Sequence, residues 1–228
     1  LGDGTDRCPA GAPRQVLGLT SGVLRVATGT NHTCVLTSAG GVKCWGANSY
    51  GQLGDGTTTE RNAPIDVVGL TSGVAALAVR DNRACVLTTI GAVKCWGEGR
   101  DGLLGNDAGV NQPAPVDVYG LDAGIAEIGL AVNTACARSD AGAVWCWGVN
   151  NLGQLGNGST VWVTTPTLVS GLDGGVVSIA VGDYNGCAII DGGVLKCWGY
   201  NLNAACGVGN TTSPQVVPAN VARMDGGV

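Results

Sequence analysis

The stretch NHTCVLTSAGGVKCWGANSYGQLG, Asn31 to Gly54, decides the fold because it returns three times. The copies are NRACVLTTIGAVKCWGEGRDGLLG from Asn82, NTACARSDAGAVWCWGVNNLGQLG from Asn133 and YNGCAIIDGGVLKCWGYNLNAACG from Tyr184. Cys34, Cys85, Cys136 and Cys187 keep a step of 51 residues, as do Cys44, Cys95, Cys146 and Cys197, and Trp45, Trp96, Trp147 and Trp198. Pro13, Pro64, Pro115 and Pro166 share it, and only the last unit blurs, with Pro214 and Pro218 both eligible. A fixed period of this length marks a solenoid or a propeller.

Each unit reads as strands. Gly-Val-Leu-Arg-Val-Ala at 22–27 alternates, a polar turn leads to Thr-Cys-Val-Leu-Thr, a glycine-rich reversal follows, and Gly-Val-Lys-Cys-Trp-Gly runs back. A Gly/Asn/Asp/Thr loop then leads to a proline-headed strand, represented in the first partial unit by Arg14 to Leu17. Four short strands per repeat make one four-stranded blade. Helix-pair repeats are excluded by the glycine and β-branched content. The expectation is an all-β propeller: a partial unit at 1–23, then repeats at about 24–74, 75–125, 126–176 and 177–228.

The composition agrees. Of 228 residues 40 are glycine, and only 13% are charged, so neither long helices nor charge-driven disorder is expected. The formal charge of −5, without any basic stripe, argues against nucleic acid as a partner. No apolar run approaches the ~20 residues that cross a bilayer, so membrane insertion is not expected. The chain opens on Leu1 in mid-pattern, with neither initiator Met nor signal-type segment, as a processed chain or a fragment would.

The two cysteines of a unit are ten residues apart. If Cys34 opposes Cys44 across a hairpin, Leu36 opposes Val42 and all four side chains share one face. Gly40, Gly91, Gly142 and Gly193 fall at the turn, where positive φ is wanted. Directly opposed cysteines can reach disulfide geometry. Four intra-blade disulfides are therefore expected: Cys34 with Cys44, Cys85 with Cys95, Cys136 with Cys146, and Cys187 with Cys197. Each would contribute about 2–3 kcal/mol in the chain-entropy model. The spacing departs from zinc patterns, so no metal and no cofactor is expected. Disulfides also point to an oxidising compartment, hence to a secreted or cell-surface protein. Cys8 and Cys206 stand outside the scheme, Cys206 at the place held by Leu53, Leu104 and Leu155.

The unit VATGTNHTCVLTSAGGVKCWGANSYGQLGDGT, Val26 to Thr57, closely resembles the repeat of the regulator of chromosome condensation family. The resemblance rests on the strand before His32, the Gly-Val-x-x-Trp-Gly return strand and the Gly-Gln-Leu-Gly-x-Gly loop at Gly51 to Gly56. It implies a β-propeller, usually of seven blades, so the four complete blades and the redundant partial units at both ends suggest an arc of a larger ring. Cysteine pairs in place of the family's apolar pairs suggest an extracellular, disulfide-containing branch. The family's nuclear members promote nucleotide exchange on a small GTPase and bind chromatin, activities to which an acidic, disulfide-bearing chain looks badly suited.

No convergent catalytic set is visible. His32 is the single histidine, and Arg83, Thr134 and Asn185 replace it in the other units. The repeat tryptophans read as packing residues. Trp145, which replaces a lysine, and Trp162 break the repeat, and with Tyr50 and Tyr200 they are candidate binding aromatics. The loops at Asp3 to Asp6, Asp55 to Thr57 and Asn106 to Asp107 look like calcium loops but lack the ligand ladder, so turn chemistry is preferred. Asn31, Asn157 and Asn210 begin Asn-x-Ser/Thr triplets and are candidate glycosylation sites. The functional expectation is a non-enzymatic, secreted or cell-surface scaffold whose rim loops bind a protein or glycan partner, with self-assembly through the redundant ends. The alternative is a secreted enzyme inhibitor, as among beta-lactamase-binding relatives; an exchange factor or chromatin binder ranks third.

Overall fold

The computed structural model describes residues 2–5 and 13–222. It holds four four-stranded antiparallel sheets, each formed by consecutive strands. The first comprises β1 (Val23–Thr28), β2 (His32–Thr37), β3 (Val42–Gly46) and β4 (Arg61–Asp66), and the second β5 (Val74–Arg80), β6 (Arg83–Thr88), β7 (Val93–Gly97) and β8 (Gln112–Asp117). The third comprises β9 (Ile125–Leu130), β10 (Thr134–Ser139), β11 (Val144–Gly148) and β12 (Val163–Leu168). The fourth comprises β13 (Val176–Val181), β14 (Asn185–Ile190), β15 (Val194–Gly199) and β16 (Gln215–Asn220). Two compact units divide them: one spans 1–100 and 110–123 with the first two sheets, the other 101–109 and 124–228 with the last two. Four blades are what the described residues contain; closure into a seven-bladed ring is not seen.

Hairpin register puts the cysteines face to face. Cys34 pairs with Cys44 and Leu36 with Val42 in the first sheet, and Cys187 pairs with Cys197 in the last. All four pairs are bonded, with Cα atoms 4.1 Å apart and S–S distances of 2.06–2.10 Å. Gly40, Gly91, Gly142 and Gly193 take φ between 76° and 83° at the turns, where an L side chain would be strained.

Arg14 to Leu17, expected as a strand, is not one. A strand exists through its ladder, and the sheet that would flank this segment is absent from the described residues. The segment is held instead by Leu17 N–H donating to Gly2 O at 2.9 Å.

Within each unit one sheet packs its disulfide face on the tryptophan face of the next. In the first unit Cys34, Leu36, Val42 and Cys44 share a core with Leu77, Ala84, Val86 and Trp96. In the second, Cys136, Val144 and Cys146 meet Ala188 and Trp198, with Ile179 at the margin. Each buried indole also donates to a carbonyl from the loop packed over it: Trp96 to Gln52 O at 3.0 Å, Trp147 to Leu103 O at 3.2 Å and Trp198 to Gln154 O at 2.9 Å. These tryptophans are packing residues, as their periodicity implies.

The loop must pass directly over the ring, which explains a glycine in it. A Cβ on Gly156 would lie 2.7 Å from Trp198 Cδ1, and its φ is +63°. Gly171 has nearly the same φ, +68°, with open space around it. Gly171→Ala should therefore lose about 1 kcal/mol from backbone strain alone. Gly156→Ala should lose at least about twice that, since ring and loop must also separate. Urea midpoints of the two variants would check the difference, and equal losses would show that the loop does not press on the indole.

His32 is 3% exposed and neither ring nitrogen has a hydrogen-bond partner. Burial alone pushes its pKa down to about 4. The unfolded ring titrates near ~6.5, so the unfolded state binds more protons between the two values and stability decreases there as the pH is lowered. The contribution is complete above about pH 6.5, declines toward about pH 4, and amounts to about 3 kcal/mol at most. His32→Asn, the residue that the fourth repeat carries at this position, should flatten this part of the stability–pH curve measured by denaturant titration.

Candidate protein-binding rim

At one end of every sheet lie the turn joining its first two strands and the long loop joining its last two. These long loops are fastened from inside. Asn48, Asn150 and Asn201 are at most 1% exposed. Their side-chain carbonyls accept from the N–H groups of Leu53, Leu155 and Cys206, each at 2.9 Å. Their amides donate across the loop to Thr57 and Thr59, to Ser159 and Val161, and to Asn210 and Thr212, at 3.0–3.1 Å. The second repeat has Gly99 at this position, and its loop is held from the other side by Asn111, which accepts from Gly99 N–H at 3.1 Å. Such loops have their polar backbone satisfied internally and present their remaining side chains on a fixed frame.

The Asp-Gly-Thr loops are turns. Asp55 Oδ1 accepts from Thr57 N–H, the Thr57 hydroxyl and Asn48, and its Oδ2 meets Arg61 at 2.8–2.9 Å. Burial pushes this carboxyl up, but the Thr57 and Arg61 contacts prevail and hold it below its ordinary range. Asn157 accepts the corresponding bonds from Asn150, Ser159 N–H and the Ser159 hydroxyl in the third repeat, without a charge and without an arginine partner. Among the described residues no group of three His, Cys, Asp or Glu side chains is placed to hold a metal.

The candidate aromatics do not converge. Trp145 is half-buried and pairs across strands with Leu168, where the first two repeats have the ion pairs Lys43–Asp66 and Lys94–Asp117. Trp162, 50% exposed, lies at the other end of β12, about 20 Å away along the strand. Tyr50 is exposed on the first unit. Tyr200 meets a residue not singled out from the sequence, Tyr184, with ring centroids 6.3 Å apart and a tilt of 58°.

The register contained that signal. Continuing the cysteine pairing outward by three residues sets 31 opposite 47, 82 opposite 98, 133 opposite 149 and 184 opposite 200. In each case the later N–H donates to the earlier carbonyl at 2.8–3.0 Å. The side chains there differ in every repeat: Asn31/Ala47, Asn82/Glu98, Asn133/Val149 and Tyr184/Tyr200. In the second repeat Asn82 donates to Glu98 at 3.3 Å, and Glu98 pairs with Arg100 at 2.8 Å. Beneath them Arg83 is fully buried; burial pushes its pKa down to about 10 against the fields of Asp81 and Glu98.

Of the remaining candidates, Asn31 and Asn210 are exposed, whereas the Asn157 side-chain carbonyl is tied into its own loop. Cys206 is buried with a free thiol, which burial pushes up in pKa, and Cys8 lies outside the described residues.

The model of the regulator of chromosome condensation (RCC1) repeat matches residues 39–80 and 141–189, and a second model of that repeat matches 23–52. Human HERC2, an E3 ubiquitin-protein ligase, is 34% identical over 206 residues, covering 88% of this chain and 4% of the ligase. Human HERC4, a probable E3 ubiquitin-protein ligase, is 30% identical over 226 residues, covering 95% and 21%. Yeast RCC1 (Prp20) bound to Kap60 superposes with a TM-score of 0.75 at 22% identity, covering 89% of this chain and 49% of that one. Prp20p from Saccharomyces cerevisiae, studied for its binding to Gsp1p and histones, superposes with 0.74 at 21% identity, covering 89% and 51%. This chain thus spans a small part of the ligases and about half of Prp20.

These relatives correct the expected location and role. Ubiquitin ligases and a histone-binding protein are nuclear or cytoplasmic, so the extracellular branch, the secreted or cell-surface location, the secreted binding scaffold and the enzyme inhibitor are not supported. Cysteine is among the most buried residue types, and a directly opposed pair in a blade core reports small, buried positions as much as a compartment. The non-enzymatic reading stands with the relatives. Repeat, strand order and fold agree that the chain is homologous to the RCC1-repeat proteins and carries their propeller blade.

Proposed function

We propose that this chain is a protein-interaction scaffold, a binding module that engages a protein partner through the loop end of its blades. The observation that carries the reading is the Tyr184–Tyr200 pair. It occupies a rim position whose cross-strand pair of side chains differs in every repeat, while the framework beneath it is nearly constant. Tyr184 is 52% exposed, and Leu202 and Trp162 lie on loops at the same end of their sheets, each 50% exposed. Aromatics on a stiff frame are the usual anchors of protein interfaces, because little side-chain entropy is lost when they are covered. A net charge of −5 suits a protein partner better than a phosphate backbone.

The ligases, at 30–34% identity, favour a scaffold working inside a larger protein. A second reading, binding of a small GTPase or histones, is favoured by Prp20, whose studied ligands are Gsp1p and histones. Titration of the chain with Gsp1p and with histones separates the two readings.

With the chain as bait and captured proteins quantified, Tyr184→Ala combined with Tyr200→Ala should lower partner affinity roughly 30-fold, the effect of losing about 2 kcal/mol. Ile90→Ala, in a turn at the opposite end of its sheet and 73% exposed, should leave it unchanged. Equal retention by both variants would count against the rim.

A further inference from the structure

We propose that the Tyr184–Tyr200 pair takes a basic side chain of a protein partner, an arginine stacked on the tyrosine rings, so that the segment bound at this rim is a basic one. The inference rests on the protein-binding reading of the rim and adds the chemistry of what is bound. The backbone under the two rings is fixed from both sides. Tyr200 N–H donates to Tyr184 O at 2.8 Å, and the Tyr200 carbonyl accepts from the Cys206 thiol at 3.5 Å. The next residue, Asn201, is fully buried and anchors the loop that follows. Exposure at this place is a property of the loop end and not of the neighbours of one sheet. Asn31, which holds the place of Tyr184 in the first sheet, is exposed although Thr30 beside it is bonded to Asp81 of the second sheet.

Charge selects the ligand. Two exposed rings alone would accept any apolar side chain, but the loop end that carries them in the second unit is acidic. Its segments 101–109, 131–134, 149–162, 182–185 and 200–214 hold Asp101, Asp107 and Asp183 and neither lysine nor arginine. Asp107 accepts from the Thr164 hydroxyl and Asp183 from Val132 N–H at 3.1 Å, neutral donors that fix these carboxylates without adding a positive charge. The basic side chains of this unit among the described residues, Arg138 and Lys196, both lie on strands, and Arg138 pairs with Glu127 at 3.0 Å. In the first unit, by contrast, the loop end answers its own carboxylates: Arg61 pairs with Asp55 and Arg100 with Glu98, each at 2.8 Å. An acidic or phosphorylated segment would be repelled at the second unit's loop end, whereas a cation is attracted to it and then held by the ring faces. Arginine suits the rings better than lysine, because its planar, weakly hydrated guanidinium stacks on an aromatic face and still donates hydrogen bonds from its edge.

The probe is a fluorescently labelled peptide of alternating arginine and glycine, and its control is the same peptide with citrulline, whose uncharged urea keeps the shape of the guanidinium. In anisotropy titrations the 228-residue chain should bind the arginine peptide at least about fivefold more tightly than the citrulline peptide. Attraction to an acidic chain gives such a preference anywhere on its surface, so the rings carry the decision. Tyr184→Leu combined with Tyr200→Leu keeps apolar surface and every charge, and should weaken binding of the arginine peptide about tenfold. Tyr184→Phe combined with Tyr200→Phe keeps the ring faces and should stay within about twofold of the unsubstituted chain. An unchanged urea midpoint shows that the leucine variant folds, and the phenylalanine variant separates loss of the rings from loss of the hydroxyls. Equal binding of the two peptides, or a leucine variant that binds like the unsubstituted chain, would overturn the proposal. Proteins captured through the tyrosines by a chain that leaves the arginine peptide unbound would overturn the basic ligand and leave the rim reading standing. Capture indifferent to Tyr184→Ala and Tyr200→Ala would overturn both.

Discussion

The buried indole that donates its N–H to the loop packed over it is the contact on which the rest of the structure depends. It links a return strand to a loop 44 residues earlier, as in Trp96 to Gln52 and Trp198 to Gln154. A buried N–H left without a partner costs about 1–3 kcal/mol, so the loop must deliver a carbonyl to one point. Three requirements follow. A glycine must pass over the ring, as Gly54 and Gly156 do. The loop must be rigid, which the buried asparagines Asn48 and Asn150 provide over Trp96 and Trp198. The strand bearing the tryptophan must keep its register, which the neighbouring cysteine pair secures from the next position along. The motif Cys-Trp-Gly is the linear trace of this arrangement.

Sequence reasoning reached the blade because these requirements recur with one period. Ten residues between paired cysteines, with glycine at the turn, determine a hairpin register without reference to any distant contact. It failed at Arg14 to Leu17, where the pattern of a strand occurs without the neighbours that a ladder needs. It also stopped the register at the cysteines, although the same pairing carried three residues outward places Tyr184 against Tyr200. The inference from cysteine to compartment failed for a different reason. A disulfide's geometry belongs to the blade, whereas its compartment belongs to the whole protein, of which relatives such as HERC2 share only this module.

The loops explain why no catalytic constellation appears in them. Their polar side chains are already engaged: Asp55 by Thr57, Asn48 and Arg61, and Asn157 by Asn150 and Ser159. The exchange of Asp for Asn between these repeats leaves the turn intact, so hydrogen-bond acceptance rather than charge is what the loop selects. A carboxylate used in this way is unavailable as a base or a ligand. What remains free is the side chain at positions where the backbone alone makes the bond.

The pairs at 31/47, 82/98, 133/149 and 184/200 are such positions. There the N–H to carbonyl bond closes the strand end, and it is indifferent to whether the side chains are Asn and Ala, Asn and Glu, Asn and Val, or Tyr and Tyr. The fold therefore separates its two kinds of surface. Blade faces are specified by packing against a copy of the same motif, so they are closely alike in every repeat. The loop ends are specified by backbone bonds and buried asparagines, so their outward side chains can change without cost to the blade. Variation concentrated on one end of an otherwise repetitive scaffold lets a single fold serve many partners, and in this chain that variation is largest at the fourth blade, where two tyrosines replace the asparagine and small residue of the first.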